Sequence, residues 1–477
     1  MSTSSKANVV IIGAGPAGLA AAHSISKAGL KPQVFEAAPH VGGMARSFEL
    51  FEQRVDCGPH RFFTKQPEVS AFFDELIGQD YVEVQRLTRI YYDGKFYDYP
   101  LKASSVWSNL APDQIGSILY SYLLKKLSPI KNPQNLEDWI SNKFGNELYQ
   151  LFFKNYSEKL WGIPCSQIDA DWAAQRIKSL SLFEAVKNNV RGNRGKHHSF
   201  VDKFRYPVNG TGMLYERAQS IIEQLGGKIN LRQAVKRLVF SGKKVSGIEL
   251  ADGSEILADH VISTMPLTLL LKGLPSLPEE VAHASDKLYF RHTILVYLEI
   301  DSTDLFEDNW LYIHSPEVRH GRVTNFRNWS PGLYQDKSTS ILCVEFWAFD
   351  KDPIWHEKDE YLQKLAEKEL RQIELIPENI RVLQSKVVRV PRCYPVYEIG
   401  YQEHIQKISD YLQQFQNLQL IGRYGSYKYN NQDHSIMMGL LAAQNVLHNK
   451  NIDLWGVNSD KEYHEADLIQ QADDKGP

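Results

Sequence analysis

Apolar and polar positions change rhythm several times along the chain, and the first change is the sharpest. Val9 to Ile12 is an unbroken apolar run, Gly13-Ala14-Gly15-Pro16-Ala17-Gly18 follows at once, and an Ala-rich stretch with helical spacing continues to about Lys27 before Gly29 ends it. A second short strand, Gln33 to Phe35, terminates in Glu36. Strand, glycine turn, helix and strand in that order predict a βαβ unit and a parallel sheet.

From about Gln66 to Lys196 longer helical patterns rich in Leu, Phe and Tyr take over, and predict a mostly helical insertion. It closes on the polar, basic run Asn188 to His198, read as a solvated loop. Tyr215 to Leu225 predicts a helix, and short strands with turns at Ser241-Gly242 and Asp252-Gly253 follow through Ile262. Between Thr293 and about Val390, runs such as Ile294 to Leu298 and Ile341 to Phe346 predict an antiparallel sheet, interrupted by a helix near Tyr361 to Ile373. Leu418 to Ile421 is one more strand, and a helix from about Ser435 to Leu447 closes the pattern. The expected fold class is α/β, with a discontinuous Rossmann-type domain over 1–65, 200–290 and 416–457. A helical substrate domain over 66–199, an antiparallel-sheet substrate domain over 291–415 and a loosely attached tail, 458–477, complete it.

At 477 residues the chain exceeds what one core usually organises. A net charge of -3, from 54 basic and 57 acidic residues, gives no global attraction to nucleic acid or to an anionic membrane, so any anion recognition is local. Nine Trp and 24 Tyr suit the stacking of planar ligands and equally suit an ordinary large core. Cys57, Cys165, Cys343 and Cys393 form neither a C-x-x-C pair nor a zinc spacing, so no metal is expected and a reducing, cytoplasmic setting is the simpler expectation. Met1 to Asn8 lacks the apolar segment of a signal peptide, and no apolar run is long enough to predict a membrane span.

The glycine turn carries the first chemistry. Gly13 permits the tight turn, Gly15 lets backbone approach a pyrophosphate, and Gly18 lets the helix pack on the strand. The helix start, through Ala17, offers N–H groups to a diphosphate, and Glu36 lies where a carboxylate accepts hydrogen bonds from an adenosine ribose. Gly42-Gly43-Met44-Ala45-Arg46-Ser47 then favours FAD over NAD, its glycines again admitting a ligand and Arg46 supplying a cation.

With these motifs the sequence, from Val9 to about Leu447, resembles the flavin amine oxidase superfamily, which includes protoporphyrinogen oxidases, phytoene desaturases and UDP-galactopyranose mutases. The resemblance implies non-covalent FAD, with Gly43, Met44, Arg46 and Gly58 beside it, an adenine contact near Val235, and a late cofactor segment at Gly422 and Arg423. Gln432 and Ser435 would then serve the ribityl chain, the following helix pointing its positive end at the cofactor.

Segments outside the cofactor motif are similar to the mutase branch, in its eukaryotic form. Asp56 to Phe63 looks like the mutase segment that puts a histidine, here His60, beside the flavin. Tyr99-Pro100, then Asn155 to Pro164 with Tyr156 and Trp161, and Arg176 beyond them, resemble its nucleotide-binding stretch and first phosphate-binding arginine. Trp310-Leu311-Tyr312 precedes Arg322 as in the mutases' diphosphate-binding segment, and Tyr394 and Tyr429 match tyrosines that contact the diphosphate. Arginine forks and phenols suit a pyrophosphate, because guanidinium binds phosphate bidentately and phenols donate without adding charge. Ser157, Leu101 and Lys102 depart from the mutase pattern where uridine would bind, which leaves the base open.

The implied function is ring contraction of a nucleotide-diphosphate sugar, UDP-linked in the simplest case, at N5 of reduced flavin, with an external reductant. Arg176 and Arg322 hold the leaving diphosphate in this reading, and His60 positions or tunes the flavin. An FAD-dependent oxidase or desaturase of the protoporphyrinogen or amine oxidase type is the rival, and a flavoprotein that keeps FAD as a structural ligand is a third class. Oligomeric state is left open.

Overall fold

Five parallel strands form the first sheet, because the chain returns to it after each helical excursion. In the computed structural model, which describes residues 7–170 and 203–457, their order is Leu418–Leu420, His260–Ser263, Val9–Ile12, Gln33–Glu36, Lys228–Leu231. Val9–Ile12, the central strand, is wholly buried, which is why it reads as an unbroken apolar run. Helices Pro16–Lys27, Gly212–Gln224 and Gln432–His448 supply Leu19, Ile25, Leu214, Ile222, Ile436 and Met438 to the same core. The last of them packs tightly on the first: a Cβ on Gly439 would lie 2.2 Å from the Ala17 carbonyl oxygen. A three-stranded antiparallel sheet, Val235–Ser241, Lys244–Leu250 and Glu255–Leu257, includes the hairpin expected at Asp252-Gly253.

The chain divides into two compact units, this one comprising 1–83, 205–289 and 402–460, and a second comprising 84–204, 290–401 and 461–477. The second is built on a seven-stranded sheet in the order Val382–Pro395, Phe290–Ile300, Ser340–Ala348, Arg322–Asn325, Trp310–Ile313, Thr88–Tyr92, Lys95–Asp98. Its pairs are antiparallel except that Trp310–Ile313 runs parallel to Thr88–Tyr92, so the sheet expected to be antiparallel is mixed. Two of its strands come from the stretch read as helical from Gln66 onward. Asp93 and Gly94 have φ of 51° and 70°, the paired positive angles of a two-residue hairpin turn, and they join Thr88–Tyr92 to Lys95–Asp98. Helices resume with Ala103–Asn109, Pro112–Leu127 and Leu136–Phe144. Arg176, the basic run at 188–198 and the tail lie outside the described residues. Among the described residues no helix is long and apolar enough to cross a membrane.

A buried carboxyl holds the loops of the first unit together. Asp56 accepts hydrogen bonds from Ser47 Oγ (2.5 Å), Tyr206 OH (2.6 Å) and the Thr211 N–H (3.1 Å), and burial pushes its pKa up to about 7. Gly210 and Gly212 are required beside it, since a Cβ on either would lie 2.4 or 2.3 Å from Ser47. The folded state holds the Asp56 proton more tightly than the unfolded chain, whose carboxyl titrates near 3.8, so this contribution to stability is full below about pH 4 and lost as pH rises through 7. It amounts to on the order of 4 kcal/mol at most. Asp56→Asn, which stays neutral, is expected to flatten the fall in melting temperature between pH 5 and pH 8; identical slopes in mutant and wild type would refute the assignment.

Candidate functional site

In the first unit each glycine of the turn has a different neighbour. A Cβ on Gly13, whose φ is +96°, would lie 2.0 Å from Thr264 Oγ1, and one on Gly18 would lie 2.0 Å from the Gly13 carbonyl oxygen. Protein packing therefore accounts for both. At Gly15 a Cβ would meet nothing within 4 Å, and φ of -81° suits any residue. No described residue calls for a glycine there, and the position opens the helix Pro16–Lys27, where free N–H groups and the helix dipole favour an anion.

Glu36 closes the neighbouring strand and orders the turn: Oε2 accepts the Ala14 N–H and Oε1 the Ala38 N–H, both at 2.8 Å. Each oxygen keeps a lone pair for a ribose hydroxyl. The second glycine loop docks here, the Gly42 N–H donating to the Ala14 carbonyl at 2.8 Å and Gly43 approaching Gly15 so closely that its Cβ would lie 3.3 Å from that Cα. Arg46 turns back to donate to the Gly43 carbonyl at 2.9 Å, and Met44 receives the Tyr424 hydroxyl. Val235 lines a small cleft with Ile12, Met265 and Leu270, at the end of the central strand. His60, half-buried, sits with Nδ1 3.1 Å from the carbonyl of Gly58.

The late segment is tied into the first unit through Gln432. Gln432 Oε1 already accepts from Tyr215 OH (2.6 Å) and Thr211 Oγ1 (3.1 Å), and Nε2 donates to the Arg61 carbonyl (3.3 Å). Both lone pairs of its side-chain carbonyl are thus engaged by protein donors. Ser435 is buried in the first turn of that helix. Gly422 packs on Ala17, and Arg423 donates to the Asn430 carbonyl (2.9 Å) and lies 4.3 Å over the ring of Tyr429, which thus belongs to the first unit.

The second unit gathers the other polar candidates. Strand register sets Tyr312 opposite Arg322 and Arg322 opposite Glu345. Arg322 donates from Nε and Nη2 to the two Glu345 oxygens, at 2.6 Å each, and from Nη2 to Tyr394 OH at 3.2 Å. Burial works against the Arg322 charge, but Glu345 beside it holds the guanidinium well above its usual pKa. Nη1 donates to none of the described residues. Tyr312 packs on Tyr99 (4.6 Å) and Tyr156 (5.5 Å), Tyr156 on Trp347 (5.9 Å), and Tyr394 on Trp347 (6.5 Å) and Trp161 (6.3 Å). Trp310 is buried against Trp329, part of the wall.

Glu345, Trp347, His314, Lys159 and Arg291 escape the motif reading. Glu345 had a signal, a lone carboxylate in the apolar run Ile341 to Phe346, where only a paired charge is tolerated. His314, lowered to about 3 by burial and by the Lys159 charge, is a neutral platform stacked 4.7 Å from Tyr156. Lys159 donates to the carbonyls of Ser315 (2.6 Å) and His320 (3.3 Å). Arg291 closes the helix Asn155–Trp161, donating to the carbonyls of Leu160, Lys159 and Trp347; Gly162 is obligatory beneath it, a Cβ there lying 2.4 Å from Arg291 Cζ.

The sequence pattern described as "Flavin containing amine oxidoreductase" matches residues 16–447. The chain belongs to this flavin-containing family. Its cofactor is FAD, and the open approach at Gly15, the helix terminus and Glu36 fit the dinucleotide. A "Probable UDP-galactopyranose mutase" of Klebsiella pneumoniae is 27% identical over 34% of this chain and 43% of its own length, so the match spans less than half of that relative. A "Phytoene desaturase (lycopene-forming)" of Paracoccus sp. is 24% identical over 64% of this chain and 70% of its own. The fold resembles a crystal structure of reduced UDP-galactopyranose mutase, with a TM-score of 0.84 and 21% identity over 97% of this chain and 98% of that one.

Two glycine substitutions separate cofactor binding from packing. Gly15→Ala should leave the unfolding free energy within about 1 kcal/mol of wild type and lower FAD retention. Gly18→Ala should cost roughly 1–3 kcal/mol of stability through overpacking. Glu36→Ala should weaken FAD binding by roughly 1.5–3 kcal/mol. Flavin content after gel filtration, beside urea unfolding, checks all three, and full flavin retention by Gly15→Ala would remove the pyrophosphate assignment.

Proposed function

We propose that this flavoprotein is a nucleotide-diphosphate sugar mutase that interconverts pyranose and furanose rings. The observation that carries the reading is the Arg322 site, a guanidinium fixed on one edge, with Nη1 given to no described residue, beside four phenols. The buried indole N–H groups of Trp310 and Trp347 in the same cluster also lack acceptors among the described residues. Buried donors without acceptors are rare in folded proteins, and a ligand rich in oxygen would satisfy them. A diphosphate is such a ligand; a wholly apolar oxidase substrate is not.

Reduced FAD, which the glycine turn at Gly15 and Glu36 would hold, would supply a nucleophile for exchange at the sugar's anomeric carbon. The chain's own residues then have one task, to keep the diphosphate in place until the ring has closed through its other hydroxyl. Arg322 Nη1 and the hydroxyls of Tyr312 and Tyr394 serve as donors, with Arg176 as the second cation. Glu345 cancels much of the long-range charge of Arg322, so its contribution is an oriented hydrogen bond rather than general attraction. His60 tunes or positions the flavin. The mutase relative's nucleotide is UDP, and Ser157, Leu101 and Lys102 leave the base open.

An FAD-dependent oxidase or desaturase is the second reading, favoured by family membership and by the longer alignment with the Paracoccus desaturase. Calorimetry with UDP separates the two. Arg322→Ala should weaken UDP binding by roughly 2–5 kcal/mol, about one to four orders of magnitude, with FAD content unchanged, and Arg322→Lys should recover only part. No UDP binding to wild type, or equal binding to both, would sink the mutase reading. Turnover should require reduced flavin and consume no reductant in proportion to product; oxygen uptake stoichiometric with product supports the oxidase.

A further inference from the structure

Helix Pro112–Leu127 turns its apolar side outward. Facing in, only Ile118 is fully buried, Ser121 accepts the Glu147 N–H at 3.1 Å, and Tyr122 backbone lies so near Gly145 that a Cβ there would be 2.7 Å away. Facing out are Leu119, Tyr120, Leu123, Leu124 and Leu127, exposed by 43, 66, 58, 47 and 84%. Spacings of three and four make them one continuous stripe. Gly116 heads it, and a helical glycine costs about 1 kcal/mol against alanine. A Cβ at Gly116 would meet nothing within 4 Å, so no described part of the fold calls for a glycine there.

We propose that this face is the interface of a two-fold dimer, in which the helix packs antiparallel on its equivalent in a second copy of the chain. A single register satisfies every feature. In an antiparallel pair the two facing residue numbers have a constant sum, so setting Gly116 against the partner's Leu123 also sets Leu119 against the partner's Tyr120. The same register sets Asp113 against the partner's Lys126. A leucine thus fills the space over the glycine, and the opposite charges at the two helix ends meet. Lys126, exposed, has its ammonium 5.3 Å over the Tyr122 ring. Five large side chains at roughly 100 Å² each cover about 500 Å² per copy, or about 1,000 Å² in all, the lower bound for a specific interface. A lipid surface would be served by any leucine stripe and would leave both Gly116 and the Asp113–Lys126 register without a purpose.

Sedimentation equilibrium of the FAD-loaded full chain tests this. Wild type should dimerise, and Leu119→Glu with Leu123→Glu should weaken the dimer by on the order of 100-fold or more while flavin content and melting temperature at low concentration stay unchanged. Asp113→Lys should weaken the dimer by facing two lysines, and Asp113→Lys with Lys126→Asp in one chain should restore it, because the swap inverts both sides of the pair. A wild type that stays monomeric at roughly 100 μM overturns the proposal, including one that instead co-sediments with phosphatidylcholine–phosphatidylserine vesicles. So does a dimer indifferent to the leucine substitutions. Failure of the charge swap to rescue overturns the antiparallel register.

Discussion

A carboxylate inside a β-sheet is the constraint on which the second unit depends. Glu345 is 1% exposed and flanked along its strand by Val344 and Phe346, a setting in which an unpaired charge would be costly by several kcal/mol. Arg322 answers it through both hydrogen bonds of a guanidinium fork, from the position that the strand register sets opposite it. The consequence reaches past the pair. With Nε and Nη2 committed, the arginine presents a defined edge, Tyr394 is held against it, and Tyr312 on the next strand lies beside it. A lysine in that place would answer the charge without fixing the geometry.

The same economy shows in the first unit, where the constraint is close approach rather than charge. Gly13 and Gly18 are explained by Thr264 and by each other, Gly439 by Ala17, Gly210 and Gly212 by Ser47. Gly15 is not explained by any atom of the described residues. Gly29, Gly78, Gly242 and Gly253 are equally open but sit at positive φ, whereas Gly15, at a helix terminus with φ of -81°, has neither reason, which separates packing from ligand contact in a way that the shared letter G cannot. The Asp56 carboxyl then ties the strand after the second glycine loop to the segment carrying Thr211, which in turn engages Gln432.

Local chemistry and tertiary pairing contributed differently to what could be read beforehand. The βαβ opening, the late helix and the hairpin at Asp252-Gly253 were legible, because each is specified by neighbours in sequence. The strands Thr88–Tyr92 and Lys95–Asp98 were missed within an apparently helical stretch: aromatic residues serve either element, and their strand character comes from pairing with Trp310–Ile313, far along the chain. Which neighbours surround Trp310 and Gln432 was not legible either: Trp310 packs on Trp329, and the Gln432 side chain is engaged by Thr211, Tyr215 and Arg61.

By itself the sequence determined the dinucleotide turn and its acidic strand end, since glycine conformation and helix termini act over a few residues, whereas the phenols and arginine of the second unit were implied by resemblance alone. Only the tertiary structure decided which partner each of those groups has: that Arg322 is shared with Glu345, that Tyr156 stands on a neutral His314, and that Arg291 closes the helix carrying Tyr156. The reason is physical. A hydrogen bond or a buried ion pair is settled by atoms within a few ångströms, and a folded chain supplies those atoms from positions that the order of residues leaves far apart.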